Sequence, residues 1–267
     1  MKLDLPSDKM IARKDGAVGH AIFNNPERHN AVSLEMWDAL DIILEQFGDD
    51  PDIRLVVLSG AGGKAFVSGA DISKFEQERS SKEAVDHYNA RVKQVYERIE
   101  HFPMPTIAMI NGHCIGGGLN LAVCCDLRIC TDKSKFGMPA AKLALGYPYH
   151  AIRRLMVAIG PAAAKQLMFT AKSIDAETAL RLGFVQDVVA AEDIEARVAE
   201  LATTIAANAP LTLKAMKFLG TQVQEPDASK RDLERCDEMV AACFASEDYI
   251  EGRRAFMEKR KPDFKGR

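Results

Sequence analysis

The first half of the chain alternates between short strand-like apolar runs and helix-like stripes. Runs of aliphatic residues predict strands at residues 16–23, 55–59, 104–110 and 127–130. The runs at 55–59 and 104–110 are almost entirely apolar, which is typical of strands buried on both faces of a parallel sheet. Turn-forming residues 24–26 end the first run. A parallel sheet is therefore expected in this half of the molecule.

Segments with helical periodicity lie between these strands, and after residue 150 only such segments are found. Ser33 can cap a helix in which Trp37, Leu40 and Leu44 recur three and four residues apart, with Gly48 at its end. A similar stripe runs through residues 78–100, and the glycines at 116–118 open a helix of small residues. After residue 150, helices alone are predicted, at residues 151–159, 162–167, 175–182, 193–207, 211–219, 229–245 and 246–261. The whole pattern predicts an α/β fold with a helical C-terminal region.

Composition narrows the class of protein. The 267 residues suffice for one large domain, or one domain with a small appendage, and they are 47% apolar and 27% charged. A net charge of −3 and a pI near 6.1 argue against binding to nucleic acid or to an anionic membrane. No apolar run is long enough to span a membrane and no signal sequence is evident, so a cytoplasmic location is the default expectation.

The six cysteines carry no recognisable metal or redox motif. None forms a C-x-x-C pair, and most lie among apolar neighbours. This predicts buried thiols in a reducing compartment and no zinc site.

Two glycine-bearing turns are the strongest candidates for chemistry. They lie at residues 66–72 (FVSGADI) and 111–119 (NGHCIGGGL), each shortly after a predicted strand and before a predicted helix. A helix start presents N–H groups without intrahelical partners, and glycine lets a ligand approach them closely. Two such turns facing each other would form an oxyanion hole. The alternative is that both sets of glycines serve only packing; a dinucleotide site is not indicated, because G-x-G-x-x-G is absent.

Further motifs accompany these turns in a fixed order along nearly the whole chain. They are Asn25-Pro26 with HNA at 29–31, CDL at 125–127, FGMP at 136–139, AETALRLGFV at 176–185 and SEDYIEGRRAFMEKRKPDFKG at 246–266. Together with the glycine turns they resemble the crotonase (enoyl-CoA hydratase/isomerase) superfamily.

The resemblance implies a spiral of β-β-α units over residues 1–200 and a helical oligomerisation region over residues 201–267. It implies coenzyme A thioesters as substrates, no permanently bound cofactor or metal, and homotrimers or dimers of trimers. The N–H groups of Ala70 and Gly117 would hold the thioester oxygen and stabilise an enolate.

The resemblance also implies which residues contact the CoA thioester: Arg28, Ala31, Ser68, Ala70, Asp71, Ile72 and Gly117. Two of these have alternatives. Arg28 either approaches the CoA phosphates or lies in a solvated turn, and Asp71 can instead cap the helix that follows it.

The chain departs from the family at the acid–base positions. Hydratases of this family use two glutamates, and the corresponding residues here are Asn120 and Ala140. Neither accepts a proton at neutral pH. Asn120 either faces the acyl pocket or packs within its helix, and Tyr147 is either a catalytic candidate in the following loop or a packing residue.

The leading hypothesis is a lyase or isomerase that acts on an acyl-CoA through an enolate. Two alternatives stay open: a malonyl-type CoA decarboxylase, which needs no base to remove an α-proton, and a catalytically weak acyl-CoA-binding subunit.

Overall fold

A computed structural model describes residues 3–74, 78 and 80–267 of the chain. Its strands form two sheets. The strands are β1 (Met10–Asp15), β2 (Val18–Phe23), β3 (Leu55–Gly60), β4 (Ala65–Val67), β5 (Thr106–Ile110), β6 (His113–Ile115), β7 (Leu127–Thr131), β8 (Lys135–Gly137), β9 (Ile174–Asp175) and β10 (Asp187–Val189).

The larger sheet has the strand order β1-β2-β3-β5-β7-β10. β1 and β2 pair as an antiparallel hairpin, and every later pair is parallel. In β3 the first five residues are buried, because helices cover both faces of the sheet there. This is the buried parallel sheet that the apolar runs predict.

The smaller sheet has the order β4-β6-β8-β9, with β4, β6 and β8 parallel to one another. Successive strands alternate between the two sheets, as β3 to β4, β5 to β6 and β7 to β8. Helices follow each pair of strands, which is the β-β-α spiral expected from the resemblance.

Ten α-helices lie within the described residues. They are α1 (Leu34–Asp49), α2 (Lys82–Glu100), α3 (Gly117–Cys124), α4 (Tyr149–Ile159), α5 (Pro161–Thr170), α6 (Ala176–Arg181), α7 (Ile194–Ala206), α8 (Pro210–Gln224), α9 (Leu233–Ala245) and α10 (Glu247–Glu258).

The largest hydrophobic cluster lies between the sheets and α1. Trp37, Phe23 and Phe66 are at most 2% exposed and pack edge to face, with Phe23 6.5 Å from Trp37 and 6.2 Å from Phe66 between ring centroids. A smaller cluster lies under α7 on the other face of the larger sheet. Each large side chain buried in this way contributes roughly 1.5–3 kcal/mol.

Several local predictions were wrong. β1, β4, β6, β9 and β10 had not been predicted, and residues 135–137, expected near a turn, form β8. Gly48 lies inside α1 rather than ending it. The helix expected from residue 78 is described as α2 only from Lys82, after the cap Ser81; residues 75–77 and 79 lie outside the described part.

Candidate active site

Three loops converge at one edge of the smaller sheet. β4, β6 and β8 are parallel neighbours, so the segments that follow their carboxyl ends lie side by side. These segments, residues 68–72, 115–117 and 139–148, line a cavity of about 600 Å³. The cavity lies at the carboxyl ends of parallel strands, where ligands of open α/β sheets commonly bind.

The two glycine turns face each other across a short gap. A Cβ atom placed on Gly69 would lie 3.9 Å from the amide nitrogen of Gly117, and one placed on Gly117 would lie 3.7 Å from Cα of Gly69. Gly69 has a φ of +115°, which lets the chain turn sharply after β4.

Each turn presents one N–H group in a defined way. The Val32 N–H donates to the Gly69 carbonyl and the Asp71 N–H donates to the Val32 carbonyl, so the N–H of Ala70 points away from Val32. Gly117 is the first residue of α3, where an N–H has no intrahelical acceptor. Within the described part of the chain, neither N–H has a hydrogen-bond acceptor.

Contacts behind the turns fix the start of α3. The Tyr96 hydroxyl donates to the Gly117 carbonyl at 3.0 Å. Burial raises the pKa of Tyr96 well above its ordinary value, so this hydroxyl stays a donor. Gly118 packs so closely on β4 that a Cβ there would lie 2.0 Å from the Val67 carbonyl oxygen.

One wall of the cavity is aromatic. Trp37 and Tyr96 meet edge to face with ring centroids 5.2 Å apart, and the Trp37 indole N–H donates to the Tyr88 hydroxyl at 3.3 Å. Tyr147 is half-buried against the core, with its hydroxyl beside Gly116. Asn120 is 4% exposed, lines the cavity, and its Oδ1 has no hydrogen-bond partner within the described residues.

Charge is sparse around this cavity. No aspartate or glutamate is among its described lining residues. Lys93 and His150 are the described lining residues whose side chains can be positively charged. Ala140 also lines the cavity and offers only a methyl group.

The structure brings most of the predicted site residues together and leaves three outside. Ser68, Ala70, Ile72, Gly117, Asn120 and Tyr147 all line the cavity. Arg28, Ala31 and Asp71 do not.

The three residues outside have structural contacts beside the cavity. The guanidinium of Arg28 donates to Ser73 Oγ at 2.7 Å and lies 3.5 Å from Asp71 Oδ1. Asp71 is buried and its Oδ1 accepts from the N–H and hydroxyl of Ser73, the capping alternative of the sequence analysis. Ala31 precedes Val32, the partner of the Ala70 bridge.

A second cavity of about 550 Å³ shares one described lining residue, His150, with the first. It lies between α2, α3, α4 and α8 and has charged walls. Arg154 and Glu100 pair there, Nε to Oε2 at 2.9 Å, and Arg154 Nη1 is buried with no partner in the described part of the chain. His150, one helical turn before Arg154, lines both cavities.

The two described thiols of the second cavity are buried and protonated. Cys124 and Cys125 line the second cavity, and burial raises the pKa of each thiol, that of Cys125 to about 12. Across residues 3–74, 78 and 80–267, no three His, Cys, Asp or Glu side chains are grouped to hold a metal ion.

Sequence reasoning gave no role in the site to several lining residues, among them Trp37, Lys93 and Tyr96. Trp37 was expected to pack in the core as part of the apolar stripe of α1. Tyr96 and Lys93 lie on α2, where the apolar stripe indicated only a packing face. For His150 the sequence left two alternatives open, contact with the acyl group, as for Tyr147 and Tyr149, or a structural or exposed position; it lines the cavity. Their convergence depends on tertiary packing, which no local motif signals.

The comparisons with known proteins agree with this architecture. Residues 13–267 match the family model described as enoyl-CoA hydratase/isomerase. The chain belongs to this family. A "Crotonyl-CoA hydratase" of Syntrophomonas wolfei is 35% identical over 261 residues, covering 96% of this chain and 98% of the relative. A "Short-chain-enoyl-CoA hydratase" of Clostridium acetobutylicum is 33% identical, covering 97% and 99%.

Solved structures confirm the crotonase fold. A crystal structure of an enoyl-CoA hydratase/carnithine racemase from Magnetospirillum magneticum superposes with a TM-score of 0.91 at 35% identity, covering 98% of this chain and 97% of that one. An enoyl-CoA hydratase from Bacillus anthracis superposes with a TM-score of 0.90 at 31% identity, covering 97% and 100%. The predicted family and fold class are therefore confirmed. In the described part of the chain, every helix is too short or too polar to cross a membrane.

Proposed function

We propose that this chain is an enzyme that binds an acyl-CoA thioester in the 600 Å³ cavity and stabilises its enolate with the N–H groups of Ala70 and Gly117. The observation that carries the proposal is the approach of the two glycine turns at the cavity wall, where neither N–H group has an acceptor among the described residues. Donors held in this way, away from water, stabilise negative charge as it develops on an oxygen.

The acid–base chemistry differs from that of a two-glutamate hydratase. Asn120 and Ala140 line the cavity, and its described walls hold no carboxylate. Hydration would require a group that deprotonates water and one that serves the α-carbon. This favours a reaction that reaches the enolate without removing an α-proton.

Decarboxylation of a malonyl-type thioester is such a reaction. The bond between the α-carbon and the carboxylate breaks, CO₂ leaves, and the bonding electron pair forms the enolate. A proton then adds to the α-carbon. A carboxylate-bearing acyl group meets no negative side chain among the described lining residues, and Lys93 lies in the same wall.

Three thioesters separate the candidate functions. Crotonyl-CoA, a 3-enoyl-CoA and methylmalonyl-CoA would each be incubated with the protein, with absorbance of the enoyl thioester and release of CO₂ recorded. CO₂ release from methylmalonyl-CoA is the expected result. Rapid hydration of crotonyl-CoA would overturn the inference from Asn120 and Ala140, and tight binding without turnover of any thioester would identify an acyl-CoA-binding subunit.

We also propose that residues 201–267 form the oligomerisation region of a homotrimer or a dimer of trimers. Phe244, Phe256 and Met257 on α9 and α10 are 63–83% exposed in the single chain, an apolar surface that subunit contacts would cover. Sedimentation equilibrium tests this: a monomer mass would contradict it. A cytoplasmic location stays a prediction.

A further inference from the structure

We propose that His150 carries protons between the α-carbon of the bound thioester and the second cavity. The proposal deepens the function proposed above and rests on it, because it assigns the proton-transfer step that the enolate requires. His150 lines the acyl cavity together with Gly117 and Tyr147, and it lines the charged cavity together with Glu100 and Arg154.

The position of His150 suits such a role. It lies in the first turn of α4, directly after the loop that closes the acyl cavity, and it is half-buried. Tyr88, Tyr96, Lys93 and Tyr147 are the other titratable side chains of the described cavity walls. Burial keeps Tyr96 protonated, and an ammonium group or a tyrosine hydroxyl is a poor base near neutral pH.

The second cavity gives His150 a route to solvent. Its rim includes the exposed side chains of Met216 and Gln224 on α8, and its walls are polar. The charged side chains that line the second cavity are Glu97, Glu100, Asp126, Arg128, Arg153, Arg154, Lys217 and Glu225. Of these, Glu97, Glu100 and Arg154 act on the charge of His150, as does Lys93 of the acyl cavity.

The surroundings favour the neutral imidazole. Burial, followed by the charges of Arg154 and Lys93, lowers the pKa of His150 from its ordinary value of 6.5, and Glu97 and Glu100 oppose this more weakly. At pH 7 the ring is therefore mostly uncharged and able to accept a proton.

The proton transfer that the proposed decarboxylation requires is protonation of the α-carbon. After CO₂ leaves, the imidazolium of His150 donates its proton to the α-carbon, and the electron pair of the enolate forms the new C–H bond; until then the enolate oxygen accepts hydrogen bonds from the N–H groups of Ala70 and Gly117. The neutral imidazole then takes a proton from solvent in the second cavity. In the reverse direction the neutral imidazole removes an α-proton and releases it to that solvent, which is the step that α-proton exchange measures.

Exchange of the α-protons of butyryl-CoA in D₂O, followed by mass spectrometry, isolates this step from the overall reaction. The wild-type enzyme should take up deuterium, and His150→Gln should exchange at least about 100-fold more slowly, the usual contribution of general acid–base catalysis. Affinity for butyryl-CoA, measured by calorimetry, should not change. His101→Asn is the matched control, because His101 lines the second cavity but not the acyl cavity.

Two further readouts separate proton transfer from a merely structural role. Wild-type exchange should fall as pH drops below 6.5 and the ring becomes protonated, whereas His150→Gln should lose that dependence. Added imidazole should restore part of the exchange in His150→Ala. Wild-type rates in His150→Gln, or equal losses in His101→Asn, would overturn the assignment.

Absence of exchange in the wild-type protein would also overturn it. The thioester assays then identify which proposal has failed: continued consumption of methylmalonyl-CoA leaves the proposed function standing without His150, and no consumption removes both.

Discussion

The two walls of the acyl cavity are built in different ways. The wall formed by the turns after β4 and β6 presents main-chain N–H groups, held by a strand bridge and by the first turn of a helix. The opposite wall, formed by α2 and α4, presents side chains such as Tyr96 and His150, and a hydrogen bond to the Gly117 carbonyl holds Tyr96 in place. In the proposed function, the first wall stabilises negative charge on the thioester oxygen, and the second transfers protons.

The main-chain wall should be the more sensitive of the two in catalysis. Replacing Gly117 with proline removes one of the two N–H groups and should lower kcat about 100- to 1,000-fold, roughly 3–4 kcal/mol of transition-state stabilisation. Steady-state turnover of the thioester that the enzyme consumes measures this. Proline is well tolerated at the first position of a helix, so the fold should persist.

Gly117→Ala is the control for this change. It keeps the N–H group, and its Cβ would lie 3.4 Å from the Tyr96 hydroxyl, an ordinary contact. Equal losses in both variants would show that the N–H group is not what matters.

The helices that carry the side-chain wall, α2 and α4, should be the more sensitive in stability, because the Glu100–Arg154 pair of the second cavity joins them. Glu100→Ala leaves the Arg154 guanidinium, 6% exposed, without its carboxylate. We expect the free energy of unfolding to fall by about 3 kcal/mol. This is the lower end of the range for breaking a buried ion pair, and we choose it because the Glu100 side chain is a quarter exposed. Urea denaturation measures it. Glu97→Ala, on the same helix but half-exposed, should change it by less than about 0.5 kcal/mol, and a larger change there would contradict the distinction.

Tyr96 connects the two walls, so removing its hydroxyl should lower both the catalytic rate and the stability by modest amounts. Tyr96→Phe removes the hydrogen bond to the Gly117 carbonyl and should cost about 1 kcal/mol in stability. Less precise placement of the neighbouring N–H should lower kcat by up to about tenfold. Thermal denaturation and initial rates would be compared with Tyr149→Phe, whose ring is 76% exposed. No difference between the two variants would remove Tyr96 from the support of the site.

The smallest effect is expected outside both walls. Arg28 is about half-exposed, and its replacement by alanine should raise KM for the thioester by up to about fivefold without changing kcat. Added salt should reduce the difference, because contacts between exposed charges are screened. Arg13→Ala, on the distant strand β1, should leave KM unchanged; a lower kcat in Arg28→Ala would place Arg28 in a different role.

The two walls also differ in how far the sequence reveals them. The glycine turns were predicted at residues 66–72 and 111–119, because a turn between a strand and a helix has a local signature. The helices were largely predicted, because their apolar spacing repeats over several turns. β4, β6 and β8 are only three residues long, so no periodicity could build up in them.

The side-chain wall depends on packing between distant segments. His150 and Glu100 lie 50 residues apart, and Trp37 and Tyr96 lie 59 residues apart. Neither pair forms a local motif. The sequence alone indicates that Asn120 and Ala140 cannot act as bases. Only the arrangement of α2, α4 and α8 shows that the imidazole of His150 lines both cavities.

The close packing of Gly118 on Val67 has a consequence for the evolution of this site. It fixes the backbone that carries the proposed oxygen-binding groups, and those groups belong to the peptide chain whatever side chains stand at positions 70 and 117. Under the proposed function, point mutations can therefore exchange the residues around the α-carbon while the backbone geometry that would hold the thioester oxygen is inherited intact. A new reaction could then arise on this framework by replacing a few side chains, without building a new binding site.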